Sequence, residues 1–319
     1  MYSEIASNKR RSVVFIVVFF AIWLEIGAAC GLLYEAANNT SVNAYSSSPA
    51  PTNYNWTPII DGFVIGGLLA VGGIIYSLTS GASLVLRTSG AVPADPAQYQ
   101  ELHNIVDALA IGEGIPKPAV YVIDDPSPNA FATGYSPDKA AITFTTGLLT
   151  MMNREELEGV AGHEMSHIKN HDIRLLLTVG TMIGMAALLA SVLWRGAFYG
   201  GGRKSGGLVL VVFAAGAMLA RVGFVIGPLI RLALSRRRES LADACGVELT
   251  RNPAGLLRAL KKLQQNDEPF KNMNHVIAPM CIDDPLQHHE GWYHHLYDTH
   301  PPIEERIKAL EDILSVKEV

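Results

Sequence analysis

Four apolar stretches, residues 12–34, 62–86, 175–194 and 208–234, constrain this chain before anything else. Each is long enough to cross a hydrocarbon core of about 30 Å as a helix rising about 1.5 Å per residue. Inside lipid every backbone polar group must find its partner within the protein, so such stretches read as transmembrane helices. Composition agrees, since 49% hydrophobic residues against 17% charged is unusual for a water-soluble chain. The first stretch has no A-x-A cleavage site at its end, so it is expected to remain as a span and not to be removed as a signal peptide.

Basic residues set the expected orientation. Lys9, Arg10 and Arg11 precede the first span, Arg87 closes the second, Arg174 precedes the third, and Arg231 with Arg236, Arg237 and Arg238 surrounds the end of the fourth. The positive-inside bias then puts both termini in the cytoplasm, with Arg195, Arg203 and Lys204 counting mildly against it. Residues 35–61 are polar and contain no Lys or Arg, as expected of an extracytoplasmic loop. Glu25 and Arg221 lie inside spans, where a charge costs about 2.5–3.5 kcal/mol, so each is expected to face protein or water and the two are candidates to pair. Gly66, Gly67, Gly72 and Gly73 fit either close helix packing or the ordinary tolerance of glycine in membranes.

Several classes drop out. A net charge of −5 and a pI near 6.1 point to no nucleic-acid partner. Cys30, Cys245 and Cys281 are far apart and form neither a disulfide framework nor a thiolate cage. The glycine stretch 200–207 lacks the spacing of a phosphate loop and sits between two spans, where a hairpin loop fits better.

Residues 88–174 and 235–319 have soluble composition. Leu102, Ile105, Val106 and Leu109 show helical spacing, with Pro116 expected to close that region. Residues 119–123 and 140–145 are strand candidates separated by a turn-rich stretch through Gly134, Pro137 and Asp138. Asn153 with Glu156 has capping-box form, so a helix is expected from Arg154. The fold class is therefore α+β, predominantly helical, with four transmembrane helices and a soluble domain assembled from residues 88–174 and 235–319.

That helix carries Gly162-His163-Glu164-Met165-Ser166-His167. Histidines four apart lie about 40° from each other around the axis, so both imidazoles reach one metal ion from one face. Glu164, about 100° away, falls beside the ion, where a carboxylate can take a proton from attacking water. This is the H-E-x-x-H pattern of zinc hydrolysis. Arg154, Glu155, Glu156, Lys169 and Asp172 are expected to place the helix in water.

A catalytic zinc needs a third protein ligand. His171 is nearest, but it is turned about 80° from His163 and lacks the glycine turn that the longer histidine motif requires. Glu239 is the better candidate, with Asp243 one turn on to hold a ligand imidazole. An ion shared by His163, His167 and Glu239 requires an even number of spans between them, and two are present.

With these residues in view the chain resembles the HtpX-type membrane metalloproteases, relatives of the CAAX prenyl endoproteases. The resemblance rests on Asn129 to Gly134, Gly147-Leu148-Leu149, Gly162 to His167, the hydrophobic hairpin, Arg238 to Asp243, and Thr299 to Arg306. It implies a gluzincin-like protease domain facing the cytoplasm of the plasma (inner) membrane, one Zn²⁺ per chain, and membrane or misfolded protein substrates in quality control. It also implies that His163, His167 and Glu239 bind zinc, that Glu164 is the general base, and that Asn129, Ala130 and Phe131 border the substrate cleft. His300 would stabilise the transition state. A catalytically silent scaffold of the same fold is the main rival, and a transporter using Glu25 and Arg221 is another. An intramembrane protease would need the His163 helix inside an apolar span.

Overall fold

The computed structural model describes residues 2–43, 55–178, 184, 236–266, 280–282 and 302–317. Most of the third apolar stretch, all of the fourth, Arg221 and His300 lie outside the described residues. The chain divides into two compact units. One comprises residues 13–77 and 182–228, and the other residues 1–12, 78–181 and 229–319.

Two helices account for the described part of the first unit, α1 (Tyr2–Asn43) and α2 (Thr57–Thr88). Both contain a segment long and apolar enough to cross a membrane, Arg10–Ala36 and Thr57–Thr88. Val13, Val14, Val17, Phe63, Ile65, Leu68 and Leu69 are exposed on them, an apolar surface suited to lipid. Glu25 is also exposed on α1. The two helices meet through small residues. A Cβ on Gly27 would stand 2.0 Å from Gly62 O, one on Gly31 2.0 Å from Pro58 O, and one on Gly66 2.4 Å from Trp23 O. Gly27 and Gly31, like Gly62 and Gly66, are spaced to let two backbones approach. Gly72 meets nothing within 4 Å, so only part of the expected glycine packing occurs. α1 continues to Asn43, through the strong helix formers Ala36 and Ala37. Where α2 approaches, Asn55 N–H donates to Glu35 Oε1 at 3.0 Å and Asn55 Oδ1 accepts from Thr57 N–H at 3.0 Å.

The second unit is built on a four-stranded sheet in the order β1-β2-β4-β3. β1 (Val92–Pro93) is antiparallel to β2 (Ala119–Ile123), which runs parallel to β4 (Ala140–Thr145), and β3 (Ala130–Gly134) pairs antiparallel with β4. β3 and β4 are buried along their whole length, so neither shows a polar-apolar alternation. α3 (Gln100–Glu113) buries Leu102, Ile105, Val106 and Leu109 as their spacing predicts. It stops before Pro116, because Gly114 adopts the left-handed conformation (φ 67°) and donates its N–H to the last turn. The short α4 (Thr146–Met151) is capped by Thr145, whose side chain accepts from Leu148 N–H.

α5 (Arg154–Lys169) begins at a complete capping box between Asn153 and Glu156 and is buried from Gly159 to Ile168. It packs on β3, α3, α6 (Arg236–Thr250) and α7 (Pro253–Gln264), while α7 also packs on α8 (Ile303–Lys317). Glu156 and Asp172 are buried, contrary to their expected place in water. Glu156 is held by Lys262 Nζ at 2.6 Å, and Asp172 by Arg238 Nη1 at 3.3 Å. Within the second unit these charges of the helix are met by protein partners instead of solvent. It ends where His171 takes a left-handed conformation (φ 59°), and residues 172–178 resume as helix.

Glycines set the approach of α6 and α7 to α5. A Cβ on Gly246 would come within 2.9 Å of His163 N, and one on Gly159 within 2.6 Å of Leu256 N. Gly246→Val should therefore destabilise the second unit by about 1–3 kcal/mol, lowering its thermal midpoint in detergent. Gly72→Val, placed where there is open space, should leave that midpoint unchanged.

Candidate metal centre

His163 and His167 project from one face of α5, and Glu239 reaches them from the first turn of α6. One ligand atom from each lies within 4.8 Å of the others, and all three residues are buried. The two Nε2 atoms are 3.2 Å apart, with His163 Nε2 3.5 Å from Glu239 Oε2 and His167 Nε2 3.7 Å from Glu239 Oε1. Ligands at about 2.0–2.1 Å from a tetrahedral ion stand about 3.3 Å from one another, so the spacing suits a small cation. His171, whose backbone is left-handed (φ 59°), is not among these residues.

The opposite nitrogen of each imidazole is engaged by a carboxylate. His163 Nδ1 lies 2.8 Å from Asp243 Oδ1, and His167 Nδ1 lies 3.0 Å from Asp172 Oδ2. Each carboxylate is held in turn by an arginine. Arg306 donates to Asp243 at 2.9 Å from Nε and 2.7 Å from Nη2, and Arg238 Nη1 donates to Asp172 at 3.3 Å. Arg306 Nη2 also lies 3.3 Å from His163 Nδ1. A guanidinium has no lone pair to offer, so the Nδ1 proton goes to Asp243. Both rings then have Nδ1–H, and their Nε2 lone pairs face each other. Two lone pairs at that distance repel unless a cation or a proton lies between them.

The charge inventory agrees. Glu164, Asp172, Glu239 and Asp243 are buried near Arg238 and Arg306, the only buried arginines in contact with them among the described residues. Among the described residues these four carboxylates stand against two guanidiniums, a surplus of negative charge that favours a cation. The excess also shows in proton affinity. Burial and Arg306 disfavour the charged form of His163, but hydrogen bonds to Asp243 and Glu239 outweigh them and push its pKa up to about 9. His167 is raised too, against burial, by Glu239 and Asp172. Asp243 is held well below the usual carboxylate range, since Arg306 and His163 overcome its burial.

Asp243 was legible in the sequence as one turn beyond Glu239. Asp172, Arg238 and Arg306 were not assigned these contacts, although the helix break at His171 is what carries Asp172 back to His167. Asn129, Ala130 and Phe131 lie on or beside edge strand β3 and are buried. Asn129 N–H donates to Thr145 Oγ1 at 2.8 Å, and its Oδ1 accepts from Ala130 N–H at 2.9 Å. Asp172→Ala and Asp243→Ala should each weaken metal affinity by about 10–100-fold, read by competition with a chromophoric chelator. Substitution of exposed Glu311 should not.

The sequence model of peptidase family M48 matches residues 96–314. The chain is 40% identical over 318 residues to a protein named protease HtpX homolog from Streptococcus gordonii, with 97% of this chain and 99% of that protein covered. A protein of the same name from Caldanaerobacter subterraneus subsp. tengcongensis is 39% identical over 318 residues, with 98% of each covered. The crystal structure of S. mikatae Ste24p aligns with a TM-score of 0.48 and 19% identity, over 97% of this chain and 67% of the other.

Proposed function

Because the chain belongs to peptidase family M48 and is an HtpX-type membrane metalloprotease, we propose that it hydrolyses membrane or misfolded proteins with zinc held by His163, His167 and Glu239. The observation that carries the assignment is the buried trio of ligand atoms whose imidazoles are fixed from behind by Asp243 and Asp172. Bound zinc supplies Lewis acidity, lowering the pKa of water towards about 7 and polarising the scissile carbonyl.

The residues divide the remaining work. Glu164 follows His163 on α5 and is buried beside the ligands, so it can accept the proton of the attacking water and pass it to the leaving amine. Asp243 and Asp172 keep each imidazole in the tautomer that presents Nε2. Their arginines neutralise these two carboxylates and leave the charge of Glu239 for the ion. Asn129, Ala130 and Phe131 offer the strand edge along which an extended substrate would align. His300 is assigned the stabilisation of the developing oxyanion, from its match to the family's late histidine.

The proposed topology has four spans, with both termini and the protease domain, residues 88–174 and 235–319, in the cytoplasm. It rests on the apolar stretches and on the basic residues that flank them. Substrates would reach such a site from the inner membrane or the cytoplasm, consistent with a role in quality control.

Metal analysis paired with casein cleavage in detergent tests the assignment. Wild type and Glu164→Gln should both hold one zinc per chain, and the variant should lose about 10²–10⁴-fold in cleavage. Cleavage retained by the variant at equal metal content would remove Glu164 from the role of base. Purified wild type without zinc or cleavage would favour a scaffold of the same fold.

A further inference from the structure

β3 is the last strand of the sheet, and such an edge presents unpaired N–H and C=O groups to any neighbouring extended chain. Thr145 N–H donates to Asn129 O at 3.0 Å, so in the antiparallel register the groups of Asn129, Phe131 and Thr133 turn toward β4. Those of Ala130 and Ala132 therefore point outward. That edge is already in use. Ile282 N–H donates to Ala130 O at 2.9 Å, and Cys281 forms an antiparallel bridge with Phe131. Met280, Cys281 and Ile282 are all buried, and Ile282 packs into the hydrophobic core that includes Ala130 and Ala132.

Ile282 is also linked to the metal centre through one side chain. Arg306 Nη1 donates to Ile282 O at 3.0 Å, while the other nitrogens of this guanidinium hold Asp243, the carboxylate on His163. Segment 280–282 thus lies across the edge proposed for substrate and is tied to the residues that orient a metal ligand. One strand edge accepts one neighbour, so an extended peptide aligned on Ala130 and Ala132 and the segment cannot occupy it together.

We propose that Met280–Ile282 is an internal strap on the substrate edge, displaced by an extended peptide that carries apolar residues at alternate positions. This rests on the reading of Asn129 to Phe131 as the substrate edge. The backbone pairing is confined to one isolated bridge, with Ile282 N–H to Ala130 O as its hydrogen bond. A peptide forming a longer ladder has more such bonds to offer. Met280 and Ile282 are two apart and their side chains fall on the same side of the segment, which sets the apolar spacing that a replacement must reproduce. The resting enzyme is then autoinhibited, and its substrates are selected for extended apolar stretches such as those exposed by unfolded proteins.

Cys281 reports the exchange directly, since its thiol is fully buried under the strap contact. The experiment uses the full-length, zinc-loaded chain in detergent with Glu164→Gln, Cys30→Ser and Cys245→Ser. A fluorescein-labelled peptide with alternating apolar residues is added, binding is followed by anisotropy, and maleimide labelling of Cys281 is followed by mass spectrometry. Bound peptide should accelerate labelling by about tenfold or more. Unchanged or slower labelling with the peptide bound would overturn the strap and leave the protease assignment intact. Hydrogen exchange at the Ile282 amide gives a second readout in the Glu164→Gln chain with its cysteines in place. Exchange should speed up when peptide binds, and retained protection would overturn the proposal. A peptide neither bound by this chain nor cleaved by zinc-loaded wild type would instead refute the underlying substrate-edge reading, and the strap with it.

Discussion

The close contact between α5 and α6 is the constraint on which the rest of the second unit depends. Glu239, Asp243 and Gly246 recur at helical spacing on one face of α6. Gly246 lets that face approach the backbone of His163, where a Cβ would stand only 2.9 Å from its nitrogen. The same approach places Glu239 opposite both histidines and Asp243 behind one of them. Helix packing and ligand geometry are here a single fact, since a side chain at Gly246 would widen both together.

Burying so many charged groups is costly unless each finds a partner, and the partners come from across the sequence. Asp243 is held by Arg306 from α8, Asp172 by Arg238 from the start of α6, and Glu156 by Lys262 from α7. The metal centre therefore binds elements that hydrophobic packing alone would leave less specified. Arg306 has the widest reach, touching Asp243, His163 and the carbonyl of Ile282. Through it the residues around His163 are connected to the segment paired with the edge of the sheet.

Some features were legible because they are local. The capping box at Asn153 and Glu156 set the start of α5, and apolar spacing set the buried face of α3, since both are decided within one or two turns. The strand beginning at Ala119 was recognisable from its alternation, and the one beginning at Ala140 from the turn-rich stretch that precedes it. β1 was not, because two residues carry no period, and β3 was not read as a strand because burial on both faces removes alternation. Glu156 and Asp172 were assigned to water on charge alone. Their burial depends on Lys262 and Arg238, which local sequence does not bring near.

By itself the sequence determined the helix carrying His163, Glu164 and His167, because spacing along one helix settles which side chains share a face. It also marked the apolar segments of α1 and α2, since hydrophobic length is a property of composition. It narrowed the third ligand to His171 or Glu239 and favoured the latter. Tertiary structure brings Glu239 beside both histidines, because Gly246 admits α6 close to α5, and groups it with them as a possible ligand set, while a left-handed residue at His171 follows the end of the helix. Only tertiary structure, too, revealed the arginines behind the carboxylates and the strap on β3. Those contacts join residues far apart in the chain, and their existence depends on how helices and strand edges fit together in space, which no local pattern records.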